Sequence, residues 1–314
     1  MIVNASPDLS FIMAAFNAAP WIEAAIASAL AQTGISVEVI VVDDASTDDT
    51  TVRVEKIAAR DSRVRLLRRI KGGGPSAARN LALDVARGTW IAVLDADDEI
   101  APSRGTALLA LAQRTGCNVV SDDVERFLDG APTKPWPVPS LVPEESERRI
   151  TLAEYLRRNL LTSGGDNLGY LKPIFSRSFL GRHAIRYDER LRIGEDFDLC
   201  LRCLAAGTDL ALLSRAHYRY RMLSSSLSRQ LASADLRAMQ VAYDALALEA
   251  FPDRSVRRAD AAYRRSLGAL FAYVSVREGL RERRWSRVLQ GIGQIGFWLS
   301  VLRFGSRRLN RRRV

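Results

Sequence analysis

The sequence predicts an α/β fold: a largely parallel sheet with helices on both faces, followed by a helical C-terminal extension. Short apolar runs alternate with segments whose apolar residues recur at helical spacing, which is the pattern of successive βαβ units. Two of the apolar runs end abruptly in clustered aspartates. Polar groups at such positions are typical of open α/β sheets, which bind their ligands beyond the carboxyl ends of the strands.

The first predicted strand is the apolar run of residues 9–15, and Phe16 and Asn17 follow it directly. Pro20 suits the first turn of the next helix, and Gly34 closes that helix. Residues 37–42 form the second predicted strand. This region therefore predicts one complete βαβ unit.

The second strand ends in Asp43 and Asp44, and Ser46 and Asp49 resemble a capping pair for the helix after it. Residues 63–67 are a third, shorter strand. The glycines that follow match neither the P-loop nor the G-x-G-x-x-G pattern. We therefore interpret residues 72–75 as a flexible connection into a helix.

The fourth strand, residues 90–94, ends in four acids within five residues: Asp95, Asp97, Asp98 and Glu99. Crowded carboxylates repel one another unless a cation neutralises them. Mg²⁺ and Mn²⁺ prefer oxygen ligands and typically bind one or two carboxylates together with substrate phosphates. The position after a buried strand favours a metal–diphosphate site over a solvated acidic turn, the alternative interpretation.

A second acidic group, Glu195 and Asp196, follows Gly194 at the start of a predicted helix. Acids in a first helical turn interact favourably with the helix dipole, so helix capping is one interpretation. General base catalysis is another, because a hydroxyl that attacks as a nucleophile must give its proton to a base. Two adjacent acids exceed what capping needs.

Four blocks of sequence together resemble glycosyltransferase family 2, inverting enzymes of the GT-A fold, and the resemblance covers roughly residues 9–230. The blocks are FIMAAFNAAPWIEAAIASALAQT, VEVIVVDDASTDDT, GGPSAARNLALDVARGTWIAVLDADD and GEDFDL. The resemblance implies a Rossmann-like mixed sheet flanked by helices. It also implies a nucleotide-diphosphate sugar donor, a saccharide or lipid-linked saccharide acceptor, and Mg²⁺ or Mn²⁺ as cofactor.

The resemblance also assigns roles to individual residues. The catalytic base falls on Asp196, with Glu195 beside it, and the metal ligands fall on Asp97 and Asp95. The nucleotide-binding positions fall on Ala14, Phe16, Asn17, Asp43, Asp44, Arg79, Asp95 and Ala96. For Arg79, an ion pair with Asp84 on the same helix is the competing interpretation.

Three regions follow from these assignments: a nucleotide-sugar-binding half at residues 1–125, an acceptor-binding half at 126–230, and a basic helical region at 231–314. The proline-rich segment 129–143 is either a border of the acceptor site or a plain connecting loop. His217 is a further metal-ligand candidate, although its position does not clearly match. Arg219, Arg221 and the serines at 224–226 fit contacts to phosphate or acceptor. We interpret Cys200 and Cys203 as helical core residues.

The net charge of +10 is concentrated at the C-terminus, where residues 254–313 hold 16 arginines and three acids. An apolar stripe precedes the last arginines: Val288, Ile292, Ile295, Leu299 and Leu302. The stripe is too short to span a membrane and fits a helix lying in the membrane interface. Packing of that helix on the domain is the alternative.

No secretory signal is evident at the N-terminus, so we expect a cytoplasmic protein, peripheral on the cytoplasmic face of the inner membrane. Two rival functions remain. A sugar nucleotidyltransferase should carry a glycine-rich and basic loop near the first strand, where this chain has no basic residue. A nucleic-acid binder would use the arginine-rich tail but does not explain the strand-end acids, which repel phosphate. We therefore expect no nucleic-acid partner.

Overall fold

The computed structural model describes residues 6–128, 147–162, 167–223 and 230–292. These residues fall into two compact units. The first is drawn from Met1–Thr151 and Tyr170–Ser224, and the second from Leu152–Gly169 and Ser225–Val314. The three-region division expected from the sequence stays a prediction. The proline-rich segment 129–143 and the serines 224–226 lie outside the described residues.

The first unit is built on one sheet, which contains nine strands among the described residues. They are β1 Leu9–Ala15, β2 Val37–Asp43, β3 Val64–Arg68, β4 Trp90–Val93, β5 Glu99–Ile100, β6 Val119–Leu128, β7 Glu147–Ile150, β8 Ile174–Ser176 and β9 Leu210–Met222. Their order in space is β3-β2-β1-β4-β8-β6-β9-β5, and β7 pairs with β9 off this path.

The helices within the described residues lie between and after the strands along the chain. They are α1 Ile22–Leu30, α2 Thr50–Ala58, α3 Gly74–Val85, α4 Arg104–Thr115, α5 Leu152–Arg158, α6 Arg177–Arg182, α7 Glu195–Ala205, α8 Ser233–Asp244, α9 Arg254–Arg281 and α10 Trp285–Ile292. Helices α5 and α8 to α10 belong to the second unit.

Only part of the sheet is parallel. Strands β3, β2, β1 and β4 are parallel neighbours, whereas β8 runs antiparallel to both β4 and β6. The mixed sheet implied by the family resemblance is therefore confirmed, and the largely parallel sheet inferred from strand–helix alternation is wrong for the second half. Four of the five strand pairs there are antiparallel, and only β6 and β9 run parallel.

The core of the first unit explains the apolar runs of the sequence. Every residue of β2 is buried, and β1 is buried except for Ala14, which is half-buried. Helix α7 adds Cys200 and Cys203, both buried as predicted. Gly88 is required before β4 because a Cβ there would lie 2.5 Å from the Ser10 backbone nitrogen.

The start of α2 differs from the expected capping pair. Neither the Asp49 side chain nor that of Ser46 caps this helix; instead, the Thr50 backbone N–H donates to Asp48 at 3.0 Å. The Ser46 hydroxyl accepts the backbone N–H of Asn17 at 3.0 Å. The predicted pair is therefore wrong, because Ser46 is used to join the loops after β1 and β2.

In the second unit, α10 packs one apolar side against α9. Val288 is buried in a cluster with Ala272 and Val276, and Tyr273 and Ile292 pack against it. Val288 and Ile292, the first two residues of the predicted stripe, therefore pack on a neighbouring helix. Its remaining members at 295, 299 and 302 lie outside the described residues, among which no helix is long and apolar enough to cross a membrane.

Candidate active site

The strand ends bring the predicted nucleotide-binding residues to one edge of the sheet. Strand β1 lies between β2 and β4, so Phe16 and Asn17 emerge between the acids that end those two strands. The Phe16 side chain is 60% exposed, which leaves its ring free to contact a ligand. The Asn17 side-chain oxygen accepts the Thr47 backbone N–H at 2.8 Å and thereby fixes the loop after β1 to the loop after β2.

Asp44 holds the glycine-rich loop in place. Its carboxylate accepts the backbone N–H of Gly73 at 3.0 and 3.1 Å and that of Gly74 at 2.7 Å. The Arg69 guanidinium adds an ion pair at 3.0 Å. Gly74 has φ 83°, a backbone conformation that suits glycine. The interpretation of residues 72–75 as a flexible connection is therefore wrong, because these amides bind a buried carboxylate.

Asp43 lies beside a surface cavity of about 440 Å³, which is lined by Asp43, Ala45, Ser46, Arg68, Arg69 and Ile70. One Asp43 oxygen accepts the Thr51 hydroxyl at 2.7 Å, and the other accepts the Ser46 backbone N–H at 3.2 Å. The two acids at the end of β2 thus differ: Asp44 supports a loop, and Asp43 faces a cavity.

Arg79 connects the two acidic groups that the sequence identified separately. The guanidinium lies 2.6 Å from Asp95 and 2.7 Å from Glu195, with Asp196 at 3.4 Å. Asp84, its competing partner, pairs with Arg186 instead, so the local ion pair is excluded. Arg79 is buried, and its Nε atom has no hydrogen-bond partner within the described residues.

Lys172 makes a second connection. Its ammonium lies 2.7 Å from an oxygen of Asp95 and 2.7 Å from an oxygen of Asp196. Topology explains this position: β8 pairs antiparallel with β4, with Ile174 opposite Ala92. The residues just before β8 therefore lie where β4 ends, at the edge that carries Asp95.

Asp97 and Asp98 complete the cluster after β4. Asp98 is fully buried; one of its oxygens accepts the Tyr218 hydroxyl and the other the Arg221 backbone N–H, each at 2.7 Å. Asp97 is partly exposed. Asp95, Asp97 and Asp98 can place one oxygen each within 4.8 Å of one another, which is close enough to share one cation.

The pKa values of these acids diverge in a way that follows their partners. Burial opposes ionisation of Asp95 and Asp196, but the charges of Lys172 and Arg79 outweigh it and hold both pKa values below the ordinary one. For Asp97, burial and then the charge of Asp95 raise the pKa to about 6. Burial and the neighbouring Asp95 charge therefore both disfavour a negative charge on Asp97.

The donor set fits Mg²⁺ or Mn²⁺. All available ligands are carboxylate oxygens, which these hard cations prefer, and the unfavourable charge at Asp97 is what a divalent ion would relieve. Asp95 already pairs with two cations and Asp98 with Tyr218. Asp97 is thus the acid of this group best able to hold a metal whose other ligands come from a substrate diphosphate.

His217 does not belong to this cluster. It is buried, and its Nδ1 lies 3.6 Å from Asp122, a residue on β6. Among the described residues, the group that could hold a metal consists of Asp95, Asp97 and Asp98 and contains no histidine. Arg219 and Arg221, expected near phosphate or acceptor, both form ion pairs with Glu99. His217 as a metal ligand is therefore wrong in this structure.

The sequence interpretation missed Lys172, Tyr187 and Tyr218. One signal could have found the first: lysine occurs only at positions 56, 71, 134 and 172 among 46 lysines and arginines. In a chain so biased toward arginine, a lysine next to a proline and an apolar strand is unusual. No comparable signal existed for the tyrosines, whose hydroxyls reach Asp196 and Asp98 only in the folded chain.

The sheet order and the strand-end carboxylates define an α/β protein that binds its ligand at the carboxyl edge of parallel strands. Residues 10–179 match the family described as Glycosyl transferase family 2. The chain belongs to that family and is a glycosyltransferase, and the expected GT-A fold is confirmed.

Two similar proteins come from Rhizobium meliloti (strain 1021). The succinoglycan biosynthesis protein ExoO is 40% identical over 244 residues, which cover 77% of this chain and 69% of ExoO. The succinoglycan biosynthesis protein ExoU is 35% identical over 243 residues, covering 76% of this chain and 69% of ExoU.

Among solved structures, the chain is similar to residues 1–349 of S. aureus TarS in complex with UDP-GlcNAc. The TM-score is 0.63 at 22% identity, and the match covers 84% of this chain and 71% of that one. At this level of identity the likeness concerns the fold.

Proposed function

We propose that this glycosyltransferase moves a sugar, with inversion, from a nucleotide-diphosphate sugar to the hydroxyl of a saccharide or lipid-linked saccharide during bacterial polysaccharide assembly. The observation that carries the proposal is the ionised Asp196 carboxylate, held by Lys172 and Arg79 beside the acids that end β4. The ExoO and ExoU matches support the polysaccharide assignment. Membership of the family disfavours both the nucleotidyltransferase and the nucleic-acid binder.

The nucleotide would lie along the edge formed by β1, β2 and β4. Phe16 offers an exposed ring for the base, and Asp43 is among the residues that line the neighbouring cavity. Ala14, Asn17 and Ala96 lie on the same strand ends. Asp44 would act indirectly, by holding the glycine loop in place. Phe16→Ala and Asp44→Ala should each weaken nucleotide binding in calorimetry while metal binding persists.

In the transfer step, Asp196 would take the proton of the acceptor hydroxyl as its oxygen forms the new bond to the anomeric carbon. The bond from that carbon to the diphosphate oxygen breaks, and the nucleoside diphosphate leaves. Asp95 and Asp97 would hold Mg²⁺ or Mn²⁺, which supplies charge neutralisation for the departing diphosphate. Glu195, bound to Arg79, would keep that guanidinium facing the site.

The substitution Asp196→Asn tests the base. Asparagine keeps the shape but cannot accept the proton, so turnover should fall by roughly 10²–10⁴-fold. Because Asp196 is buried between two cations, some stability should be lost as well, and turnover must be measured on the folded fraction. Near-normal turnover would show that Asp196 is not the base.

A donor screen comes first. UDP-glucose, UDP-GlcNAc and their GDP and dTDP counterparts, each with Mn²⁺ or Mg²⁺, should be compared by thermal shift, because a bound ligand raises apparent stability. The UDP sugars are placed first since UDP-GlcNAc is bound in the TarS structure. No shift with any nucleotide sugar in either metal would contradict the donor assignment.

Peripheral contact with the cytoplasmic face of the inner membrane is the second part of the proposal. On α10, Trp285 is 65% exposed and Leu289 72% exposed, and the two lie about one helical turn apart on a face next to that of the packed Val288. The preceding arginines at 281, 283 and 284 are exposed. Aromatic and apolar side chains next to arginines are typical of a surface that binds anionic lipid.

Replacing Trp285 and Leu289 together by alanine should reduce co-sedimentation with anionic vesicles while donor binding is kept. The matched control is Val241→Ala, which removes an exposed apolar residue from α8. Truncation after residue 287 should weaken vesicle binding further. Equal vesicle binding by all four proteins would contradict the membrane proposal.

A further inference from the structure

Lys172 occupies a position that its role as a counter-ion does not fully explain. The Lys172 ammonium lies 2.7 Å from an oxygen of Asp95 and 2.7 Å from an oxygen of Asp196. It therefore links the acid that ends β4 to the acid that begins α7. These are the two carboxylates whose relative placement decides whether an acceptor hydroxyl can meet a sugar donor.

The backbone of Lys172 is itself fixed. Pro173 follows it and restricts Lys172 to an extended conformation. The Lys172 carbonyl accepts a hydrogen bond from the Arg104 guanidinium, which is paired with the fully buried Asp122 on β6. The ammonium is thus presented from a rigid support, with little freedom to follow a moving partner.

Asp196 is held from two sides. Its Oδ2 accepts from Lys172 at 2.7 Å, and its Oδ1 accepts from the Tyr187 hydroxyl at 3.1 Å. Tyr187 is anchored in turn, because its backbone N–H donates to Asn80 and its carbonyl accepts from Asn80, both at 3.0 Å. A carboxylate has about four acceptor sites. Lys172, Tyr187 and the Arg79 guanidinium at 3.4 Å face three of them, which leaves one for an acceptor proton.

The residue type is informative. Arginine is the common cation of this chain, and lysine occurs at four positions only. An arginine would present a planar fork of donors and favour bidentate pairing with one carboxylate. A compact ammonium can donate single hydrogen bonds to two carboxylates in different directions, which is what the Asp95–Lys172–Asp196 bridge requires.

We propose that Lys172 is a positioning residue that fixes the Asp196 carboxylate for proton transfer by anchoring it to Asp95. The inference rests on the proposed function, in which Asp196 is the base. A displacement of about 1 Å at a reacting group can cost about 10²-fold in rate. Loss of the bridge should therefore appear in kcat, with the KM for the donor changing much less.

The test compares Lys172→Met, Asp196→Asn and the double variant, using the nucleotide sugar selected by the donor screen and UDP release as the readout. Lys172→Met should lower kcat by about 10–10²-fold. In the Asp196→Asn background it should cause little further loss, because its effect passes through Asp196. A further variant, Lys172→Ala, tests chemical rescue. Ethylammonium should partly restore its kcat, whereas tetramethylammonium at the same ionic strength should not.

The control for simple loss of a multiply paired cation is Arg264→Met. Arg264 pairs with Asp244, Glu249 and Asp260 in the second unit, so this variant should lose stability without losing kcat. If Lys172→Met behaves like the control, Lys172 is structural. If only the donor KM rises, it is a donor ligand.

If Lys172→Met lowers kcat by the same factor in the Asp196→Asn background as in the wild type, Lys172 acts independently of Asp196. Each of these outcomes overturns the inference while leaving the proposed function intact. Wild-type turnover by Asp196→Asn alone, with Lys172 still present, overturns the base assignment and the inference together, and the two kinds of failure are therefore distinguishable.

Discussion

Two buried arginines of the first unit, Arg104 and Arg79, differ in how neighbouring carboxylates balance their charge. Arg104 is 1% exposed and pairs with Asp122, which is 0% exposed. Its remaining donors are used by a backbone carbonyl, and its guanidinium also stacks over Tyr218. Arg104 balances the charge of Asp122, which also accepts the His217 backbone N–H at 2.9 Å, and solvent barely reaches either side chain.

Arg79 is buried to a similar degree, but its surroundings are not balanced. It shares Asp95 and Asp196 with Lys172 and pairs alone with Glu195, so three carboxylates face two cations. Asp95 and Glu195 are partly exposed, Asp196 is buried, and Asp97 adds further negative charge beside them. The contrast shows that burial of a charge does not identify a site, whereas excess charge that opens to solvent does.

The largest expected effect comes from removing the excess charge where the metal should bind. Asp97→Asn should lower metal-dependent turnover by about 10²–10³-fold, because metal stabilisation of a leaving group is worth several kcal/mol. Calorimetric titration with Mn²⁺ should show weaker binding. The control is Asp84→Asn, an acid of α3 that pairs with Arg186 on the surface. Wild-type turnover by Asp97→Asn would remove the metal assignment.

The next effect separates the two arginines by stability. Arg104→Met leaves Asp122 buried without its cation and should lower the free energy of unfolding by about 3–5 kcal/mol. Mn²⁺ should not restore this loss. Arg79→Met should also destabilise the protein, but Mn²⁺ should restore part of the loss, because the unpaired acids lie in the site that binds the cation.

Urea denaturation with and without Mn²⁺ measures both variants. If Arg104→Met does not accumulate, Asp122→Asn provides a milder disruption of the same pair. An equal response of the two arginine variants to Mn²⁺ would mean that the Arg79 cluster is as closed as the Arg104 pair.

The pH dependence of stability should have opposite signs at the two locations. Burial and the charge of Asp95 raise the pKa of Asp97 from 3.8 to about 6, so ionisation of this group in the metal-free protein costs stability as pH rises from about 4 to 6. The full cost is about 3 kcal/mol. Burial opposes ionisation of Asp122, but Arg104 and His217 hold its pKa below 3.8, so its contribution is complete above that pH and is lost as pH falls.

Urea denaturation of chelator-treated wild type and Asp97→Asn between pH 4 and pH 8 measures the first effect. The variant should gain on the wild type between pH 4 and pH 6 and keep a constant advantage above that. An advantage that does not depend on pH would contradict the raised pKa.

The smallest effect concerns Tyr218, which touches both locations. Its ring lies under Arg104, and its hydroxyl donates to Asp98 and accepts the Asp95 backbone N–H. Tyr218→Phe keeps the ring and loses these hydrogen bonds, so stability should fall by about 1–2 kcal/mol. Thermal unfolding measures this loss. A larger loss, equal to that of Arg104→Met, would show that the two clusters behave as one network.

Several elements could be predicted from the sequence because they depend on local patterns. Strand β1 has the predicted bounds, and β2 and β4 end next to the predicted acids. Glu195 and Asp196 lie in the first turn of α7, as expected from Gly194. An apolar run predicts a buried strand, and the acids that follow it predict where the strand ends. Neither prediction depends on residues that are distant in the sequence.

Other features were wrong or missed because they depend on long-range pairing. The cap of α2 shifted from Asp49 to Asp48, since Ser46 was needed by the loop after β1. The glycine loop is ordered because Asp44 accepts its amides. Neither outcome can be read from the residues in sequence order.

The sequence by itself determined where the acids lie: after β2, after β4, and at the start of α7, where Asp196 is found. The tertiary structure decided how they are joined. Because β8 inserts antiparallel between β4 and β6, the residues before it return to the edge where β4 ends. That reversal of direction places Lys172 between Asp95 and Asp196, and strand direction is a property of the assembled sheet that local sequence does not encode.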